Sequence, residues 1–347
     1  MENRRFWQVA AGDKDRNYSD LCLRMGVILN GPGYAGPWPK CIDTLKKDGR
    51  SSKKISDIRR FAEEIQDGDI VVLREGTNKV LGVGLVVGDY QWNDIFGDVD
   101  GWNLQHVRRV SWLRLGDEVP KIFPTYTLKQ GDTTQELTSE VVKDWVDSLS
   151  IDTSKRIPIN PLPQSEGNNV DFEEVSNFLF DEGVASNSID TLSKEIDELV
   201  RIARWYKNFE NPSEFETVAY LAVPLLRALG WTPQKMAIEW NNVDIALFSQ
   251  LPRSPNNLSV VVEAKKKGNS CLTAVSQAET YAKGKKSCER LIVTDGLRYG
   301  VYLKKVDEFV LHAYFNITRM RDSYAIHKCA GVKEALRAMT PEWQGIA

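Results

Sequence analysis

The most constraining feature of the sequence is a run of β-branched residues that contains an acid. Residues 258–265 read Leu-Ser-Val-Val-Val-Glu-Ala-Lys, which predicts a strand with Glu263 and Lys265 on one face. Residues 242–248 predict a preceding apolar strand that contains one acid, Asp244. An unpaired charge is costly to bury, so both acids need a partner. A divalent cation that bridges them is an economical solution.

Composition excludes several classes of protein. The 347 residues are 42% hydrophobic and 27% charged, which is typical of a globular chain with two or three domains. No apolar run reaches the roughly 18 residues that a spanning helix needs, and the amino terminus lacks the apolar core of a secretory signal. We therefore expect a cytoplasmic protein without membrane association.

Cysteine and histidine provide little support for metal or disulfide chemistry. The 5 cysteines include no C-x-x-C pair, and the 3 histidines are far apart, so neither a disulfide framework nor a zinc site is indicated. Any catalysis must therefore depend on carboxylates, lysine and a hard metal ion.

Composition shifts divide the chain into residues 1–150, 151–210 and 211–347. Residues 153–169 hold three prolines in a polar stretch and predict an extended connector. An acidic amphipathic helix follows, which we interpret as a spacer or docking helix. Residues 211–347 are net basic, which suits a polyanionic partner, although a solvated surface is the simpler interpretation of the charge alone.

The first segment predicts a small mixed barrel. Residues 56–65 predict an amphipathic helix, and residues 70–73, 80–87 and 107–113 predict strands. Gly82 and Gly84 interrupt the second strand, which indicates bending of the sheet.

This order resembles the PUA superfamily, particularly the EVE and YTH-like readers of modified bases. The resemblance is carried by Phe6-Trp7-Gln8-Val9-Ala10, Gly68-Asp69-Ile70, Gly82-Val83-Gly84 to Gly88-Asp89-Tyr90, and Val107 to Trp112. Such domains flip one base into an aromatic pocket. The resemblance implies pocket walls among Trp38, Tyr90, Trp92 and Trp102, with Asp94 as an edge contact, although packing explains any single loop aromatic about as well.

The last segment opens with a capped helix. Ser213 and Glu216 form a capping box, which leaves Glu214 available for another role. The helix is predicted to bend at Pro224 and to end at Gly230.

An acid followed by Glu-x-Lys on the next strand suits metal-assisted phosphodiester hydrolysis. The metal would offset phosphate charge and acidify a water, while the lysine would position or deprotonate that water. A surface Glu–Lys pair on an edge strand is the alternative, and the motif by itself would favour it.

The surrounding sequence resembles the PD-(D/E)XK nuclease superfamily over roughly ninety residues, in particular the nuclease domain that begins the motor subunit of type I restriction enzymes. The matching pieces are the helix at 213–231, Asp244, Val262-Glu263-Ala264-Lys265, Gln277-Ala278-Glu279-Thr280-Tyr281 and the strands at 291–302. Val243 stands where the family name has proline.

The resemblance implies roles for individual residues. Asp244, Glu263 and the Ala264 carbonyl would bind Mg²⁺, for which Mn²⁺ could substitute, and Lys265 would activate water. Glu214 would hold the metal through water, or Glu216 if the register slips by two, and Gln277 would contact phosphate or water. Lysines bordering the cleft would contact the DNA backbone: Lys266, Lys267, Lys283, Lys285 and Lys286.

We therefore predict a mixed α+β or α/β protein, with an amino-terminal PUA-like β-barrel and a carboxy-terminal restriction-endonuclease-like αβ domain with a central mixed sheet. The predicted function is modification-dependent, type IV-like restriction of double-stranded DNA that carries 5-methyl- or 5-hydroxymethylcytosine. A homodimer or transient pairing on DNA would cut both strands. Two alternatives stay open, an RNA-directed nuclease and a catalytically inactive nucleic-acid-binding module.

Overall fold

The computed structural model describes residues 4–12, 16–152, 157–208, 211–267 and 271–345. The chain divides into two compact units, Met1–Gln164 and Ser165–Ala347. Residues 153–156 of the predicted connector lie outside the described residues. Residues 157–164 of the connector belong to the first unit. There Ser111 donates to the carbonyl of Ile157, and Arg109 donates to the carbonyl of Asn160. Asn168 bonds Asp322 in the second unit. The structure therefore divides the chain near 164, whereas the sequence suggested boundaries at 150 and 210.

The first unit is a curved sheet with helices. Its elements are β1 (Phe6–Ala10), α1 (Ser19–Met25), β2 (Val27–Asn30), α2 (Ile42–Lys47), α3 (Ser52–Arg59), β3 (Ile70–Glu75), β4 (Lys79–Trp92), β5 (His106–Trp112), β6 (Lys121–Ile122), β7 (Thr134–Glu136) and α4 (Glu140–Ser148).

The described strands do not close a barrel. They follow the order β2-β5-β4-β3-β1-β7, with β6 added beside β4, and β1 and β3 are parallel. The edge strands β2 and β7 approach through side chains, because Asn30 Nδ2 donates to Thr134 Oγ1 at 3.1 Å. The expected barrel is therefore a strongly curved mixed sheet that backbone hydrogen bonds leave open.

The helix predicted at 56–65 begins earlier than expected. Ser51 caps α3 by accepting from the Lys54 amide, and a π-helical turn at Arg60–Glu64 continues it. The predicted apolar face is buried, with Ile58, Phe61 and Ile65 fully enclosed. The periodicity of the sequence therefore predicted the buried face correctly, whereas the helix begins at Ser52 because Ser51 caps it.

The second unit contains a larger mixed sheet. Its elements are α5 (Phe172–Asp181), α6 (Ser186–Asn208), α7 (Glu214–Thr217), α8 (Val223–Ala228), β8 (Met236–Trp240), β9 (Val243–Phe248), β10 (Leu258–Ala264), α9 (Val275–Ala282), β11 (Arg290–Thr294), β12 (Arg298–Lys305), β13 (Glu308–Asn316), β14 (Ser323–Tyr324), β15 (Cys329–Ala330) and α10 (Val332–Met339). Within the described ranges, the strand order is β14-β15-β13-β12-β11-β10-β9-β8.

Strand β10 is central and buried on both faces. It pairs antiparallel with β9 and parallel with β11, and α9 connects β10 to β11. Val260, Val262 and Ala264 pack in one core cluster and Val261 in another, as the predicted alternation requires. The central mixed sheet is therefore as predicted.

Helix α6, predicted to be a spacer or docking helix, contributes to the core of the second unit. Leu192, Ile196 and Leu199 are buried in the cluster that includes Val260 and Val262. The predicted capping box is present, because Ser213 and Glu216 exchange both hydrogen bonds. A π-helical turn at Val218–Ala222 separates α7 from α8, next to Pro224.

Among the residues that the structure describes, no helix is both long and apolar enough to cross a membrane.

Candidate functional site

The two predicted acids lie on neighbouring strands at one end of the larger sheet. Asp244 belongs to β9 and Glu263 to β10. The regular pairing of these strands ends at Ile245 and Val262, and Asp244 Oδ2 then accepts the amide hydrogen of Ala264 at 2.7 Å. This bond brings Asp244 to the end of β10 that bears Glu263.

Lys265 completes the predicted cluster. Its Nζ lies 2.9 Å from Glu263 Oε1 and 3.0 Å from Gln277 Oε1. Gln277 in turn donates to the Tyr281 hydroxyl at 3.1 Å, one helical turn along α9. The structure therefore brings Glu263, from the Glu-x-Lys motif, and Gln277, from the helix motif, to the ammonium group of Lys265.

Glu263 has one oxygen without a partner. The residue is 1% exposed, and its Oε2 is buried with no hydrogen-bond partner among the described residues. Burial, with the charges of Asp244 and Glu214, raises the pKa of Glu263 to about 7, although the hydrogen bond and the charge of Lys265 act in the opposite direction. An unpaired buried carboxylate oxygen is costly, so it suits a ligand that the protein alone does not supply.

The pKa values of Asp244 and Lys265 are also shifted by burial and by the neighbouring charges. Burial raises the pKa of Asp244, and nearby Glu214 and Glu239 add to the effect. Burial lowers the pKa of Lys265, but its hydrogen bond to Glu263 and the surrounding acids outweigh burial, so the net pKa is raised. Lys265 is therefore a firmly protonated ammonium in this arrangement, which favours positioning and charge stabilisation over proton abstraction.

Glu214 stands at the start of α7, and its charge acts on Asp244, Glu263 and Lys265. The Thr217 hydroxyl on the same helix accepts the Lys267 amide hydrogen at 3.3 Å, which holds α7 beside the chain that leaves β10. Glu216 is occupied by the capping box. The helix thus contributes one exposed acid to the cluster.

The donor set fits a hard divalent cation. Glu263 Oε2, the Asp244 carboxylate and the Ala264 carbonyl are oxygen donors, and Mg²⁺ commonly takes one or two carboxylates with water and phosphate. Within the described ranges, no three His, Cys, Asp or Glu side chains are grouped so that they could hold a metal ion. The chain would therefore supply two carboxylates, and the substrate and water would complete the shell.

The predicted backbone-contacting lysines fall into two groups. Lys266 and Lys267 follow the acid cluster directly, whereas Lys283, Lys285 and Lys286 follow α9. Ser287, directly after Lys286, donates to the carbonyl of Leu258 at the start of β10, so the chain has here returned to the end of the strand opposite Lys265. A seven-residue strand spans roughly 20 Å. The chain next to Lys286 therefore lies away from the acid cluster, and contact of the five lysines with the DNA backbone stays a prediction.

In the first unit, three of the predicted pocket aromatics lie near one another. The Tyr90 hydroxyl accepts the Trp38 amide hydrogen at 3.1 Å and lies 2.7 Å from His106 Nδ1. Trp92 is paired with His106 across β4 and β5, so the two share a face. We call Trp38, Tyr90, Trp92 and His106 the aromatic group.

His106 is the member that the sequence did not suggest. Its Nε2 lies 3.2 Å from the Pro32 carbonyl, which can only accept, so Nε2 carries the proton and Nδ1 accepts from Tyr90 when the ring is neutral. Burial lowers the pKa of His106 to about 4. Burial also raises the pKa of Tyr90 to about 12. Both groups therefore stay neutral at physiological pH.

A buried polar network lies next to the aromatic group. Asn30 is paired with His106 across β2 and β5, and its Oδ1 accepts from Lys54 Nζ at 3.0 Å. Lys54 also bonds the buried Asp57 at 2.8 Å. No local motif marks these residues, because they come from three separate elements.

The other two predicted pocket residues have different surroundings. Trp102 packs edge-on against Tyr18 at 5.6 Å, with the Arg16 guanidinium 4.6 Å from its ring centre. Asp94 is exposed at the start of a short 3-10 turn. A cavity of about 360 Å³ in this unit is lined by Trp112, Arg114, Gly82 and Ile159 among others, and none of the predicted pocket residues lines it.

Residues 7–134 match a family model described as "Domain of unknown function (DUF8426)". No curated protein matches the chain. Among solved structures, the chain is similar to the YTH domain of the Zygosaccharomyces rouxii MRB1 protein in complex with N6-methyladenosine RNA, with 12% identity and a TM-score of 0.24, over 43% of this chain and 88% of that chain. A TM-score of this size establishes no common fold.

Proposed function

We propose that the protein is a modification-dependent DNA endonuclease, in which the first unit recognises a modified cytosine and the second hydrolyses a phosphodiester bond with Mg²⁺. The observation that carries the proposal is the convergence of Asp244, Glu263 and Lys265, with one Glu263 oxygen buried and lacking a hydrogen-bond partner in the part of the chain that the structure describes. Three charged groups concentrated at the end of an apolar strand are costly to the fold, and functional sites are where such costs are found.

The carboxylates would hold the metal and Lys265 would face the phosphate. When bound, Mg²⁺ would supply Lewis acidity toward the scissile phosphate and its attacking water. The Lys265 ammonium would position that water and stabilise the negative charge that develops in the transition state. Its raised pKa keeps it charged for this role.

Gln277 would keep the ammonium in place. Its Oε1 accepts from Lys265, and Tyr281 accepts from its Nε2, so the amide has one defined orientation. Lys265 is thereby held from two sides, by Glu263 and by Gln277. Such preorganisation contributes to catalysis because no reorientation is needed during the reaction.

The aromatic group would form the base-recognition site. Trp38 and Trp92 are half-buried rings that offer stacking surfaces. His106, whose two nitrogens are both engaged, would hold the Tyr90 hydroxyl in place, and the Tyr90 oxygen keeps one lone pair that can accept a further hydrogen bond. A flipped base needs both types of contact, because stacking gives affinity and edge hydrogen bonds give selectivity.

One such centre cuts one strand, so double-strand cleavage would require two copies on the DNA. We therefore propose a homodimer or transient pairing on the substrate.

The proposal is tested with plasmids that carry 5-methylcytosine, 5-hydroxymethylcytosine or unmodified cytosine, each incubated with the full chain and Mg²⁺. Cleavage of a modified plasmid and sparing of the unmodified one is the expected result. Equal cleavage of all three would remove the reader assignment. Absence of cleavage on every plasmid and on modified RNA, with binding retained, would identify a binding module instead. Preferential cleavage of modified RNA would identify an RNA-directed nuclease.

A further inference from the structure

Three large aromatic side chains are exposed in the second unit, close to the acid cluster. Phe215 is 70% exposed, Tyr220 55% and Trp205 54%. We call these residues the aromatic shelf. Single exposed apolar residues are ordinary, but several near a polar cleft usually mark an interaction surface.

The shelf adjoins the acid cluster through α7. Phe215 directly follows Glu214, whose charge acts on all three members of the cluster. Thr217, two residues further on, bonds the Lys267 amide, so this helix start is in contact with the chain that carries Lys265. Phe215 therefore stands at the edge of the proposed nuclease centre.

Tyr220 and Trp205 are the other two members of the aromatic shelf. Tyr220 lies in the π-helical turn that follows α7. Trp205 packs against Tyr206 with ring centres 5.1 Å apart. Helix α6 packs against the π-helical turn that contains Tyr220, and Tyr206 near its end interacts electrostatically with Glu216 and Tyr220.

The core does not require these rings. Val218, Leu221 and Leu225 already form the buried face of this helical segment, and Phe215 and Tyr220 are on its exposed side. Removing an exposed ring should therefore cost little stability. Phe215 and Tyr220 are therefore not needed for the packing of this helical segment.

Cations flank the rings. Arg204 precedes Trp205 on α6 and is exposed, and Lys266 is exposed next to Lys265. Aromatic faces combined with nearby cations suit single-stranded nucleic acid, in which unpaired bases offer their faces and phosphates attract the cations. A continuous duplex hides those faces by stacking.

We propose that Trp205, Phe215 and Tyr220 stack against unpaired bases of the DNA strand next to the scissile phosphate. The substrate of the second unit is then DNA that is locally unpaired rather than a continuous duplex. This inference rests on the proposed nuclease function, and it specifies the substrate class of the same centre.

The test measures binding of the full chain to a single-stranded oligonucleotide that contains 2-aminopurine, with Ca²⁺ in place of Mg²⁺ to prevent cleavage. The variant Phe215→Leu/Tyr220→Leu keeps apolar side chains and removes two rings. Its affinity should fall about 10-fold or more, with loss of the 2-aminopurine quenching that stacking produces. Phe180→Leu is the matched control, because Phe180 is 64% exposed on α5 of the same unit.

A second variant, Phe215→Tyr/Tyr220→Phe, keeps both rings and should bind like the wild type. Its binding separates the loss of stacking from a folding defect. Unchanged affinity and quenching in the Leu variant would overturn the inference, and so would an equal loss of affinity for a fully paired duplex. A change in oligomeric state without a change in DNA affinity would assign the surface to a second copy and also overturn it.

The two proposals fail separately. If no modified plasmid is cut but ring-dependent binding of single strands persists, the nuclease function fails and the stacking surface stands. If modified plasmids are cut at equal rates by the wild type and the Leu variant, and single-strand affinity is also equal, only the stacking inference fails.

Discussion

Asp244 Oδ2 accepts the amide hydrogen of Ala264 at 2.7 Å, so an acid on β9 fixes the backbone position that follows Glu263 on β10. The carboxylate thereby extends the connection between the strands one step beyond their last regular pair. The same side chain can thus serve the sheet with one oxygen and a ligand with the other.

The charge of Asp244 can be removed without losing this bond, because the amide oxygen of Asn accepts equally well. We expect Asp244→Asn and Lys265→Ala to lower the cleavage rate by about 100-fold or more, the magnitude typical of lost transition-state stabilisation. Affinity for modified DNA should be unchanged, because the proposed recognition site belongs to the first unit. Glu308→Gln, which alters an exposed acid at the start of β13, is the control. Wild-type cleavage by Asp244→Asn would contradict the assignment.

Glu263 should make stability fall as the pH rises from 4.5 to about 7 when no divalent cation is present. Its pKa in the folded state is about 7, above the ordinary value of 4.5. The folded state therefore holds the proton more tightly, and stability declines as the pH rises through this interval. Glu263→Gln removes that dependence, so its free energy of unfolding should gain on the order of 3 kcal/mol over the wild type between pH 4 and pH 8. Urea unfolding in EDTA measures this difference in the free energy of unfolding. Parallel pH profiles for the wild type and Glu263→Gln would contradict the prediction.

His106 should have the opposite effect in the acid range. Its pKa is about 4 in the folded state against an ordinary 6.5. The unfolded chain binds the proton more readily between these values, so stability falls as the pH drops from 6.5 to 4. The loss should be on the order of 3 kcal/mol. His106→Gln should flatten this slope even if its stability at pH 7 is lower. An unchanged slope in urea titrations would show that His106 does not titrate as its burial requires.

The Tyr90 hydroxyl organises the aromatic group, so its removal should weaken recognition of the modified base. Tyr90→Phe deletes the contacts to Trp38 and His106 and should reduce affinity for modified DNA about 2- to 10-fold. Trp38→Ala should cost more, because it removes a stacking surface. Binding to unmodified DNA should change little. Tyr126→Phe alters an exposed tyrosine of the same unit and provides the control. Equal effects on modified and unmodified DNA would exclude a reading role.

Several local features followed from the sequence. The capping box at Ser213 and Glu216 formed as predicted, since its hydrogen bonds involve residues three positions apart. The alternation along β10 also held, and it placed Lys265 within hydrogen-bonding distance of Glu263. Both features depend on backbone geometry over a few residues, which the sequence specifies directly.

Other predictions depended on the path of the chain. Lys286 is close to Gln277 in sequence, yet the return along α9 places the neighbouring Ser287 at the start of β10, the end opposite Lys265. In the strand order of the described residues, β2 and β7 are not paired and only the side chains of Asn30 and Thr134 join them, so the expected barrel stays open. The local composition of the sequence predicts neither outcome.

The sequence by itself determined that an acid in each of two apolar strands would need a partner, because burying charge is costly wherever the strands lie. Only the tertiary structure decided what surrounds them. It brought Gln277 to Lys265, left one Glu263 oxygen without a hydrogen-bond partner among the residues it describes, and assembled Asn30, Lys54 and His106 beside Tyr90. The physical reason is that strand pairing and helix packing join residues far apart in the chain, and the energies that select those contacts belong to the whole core.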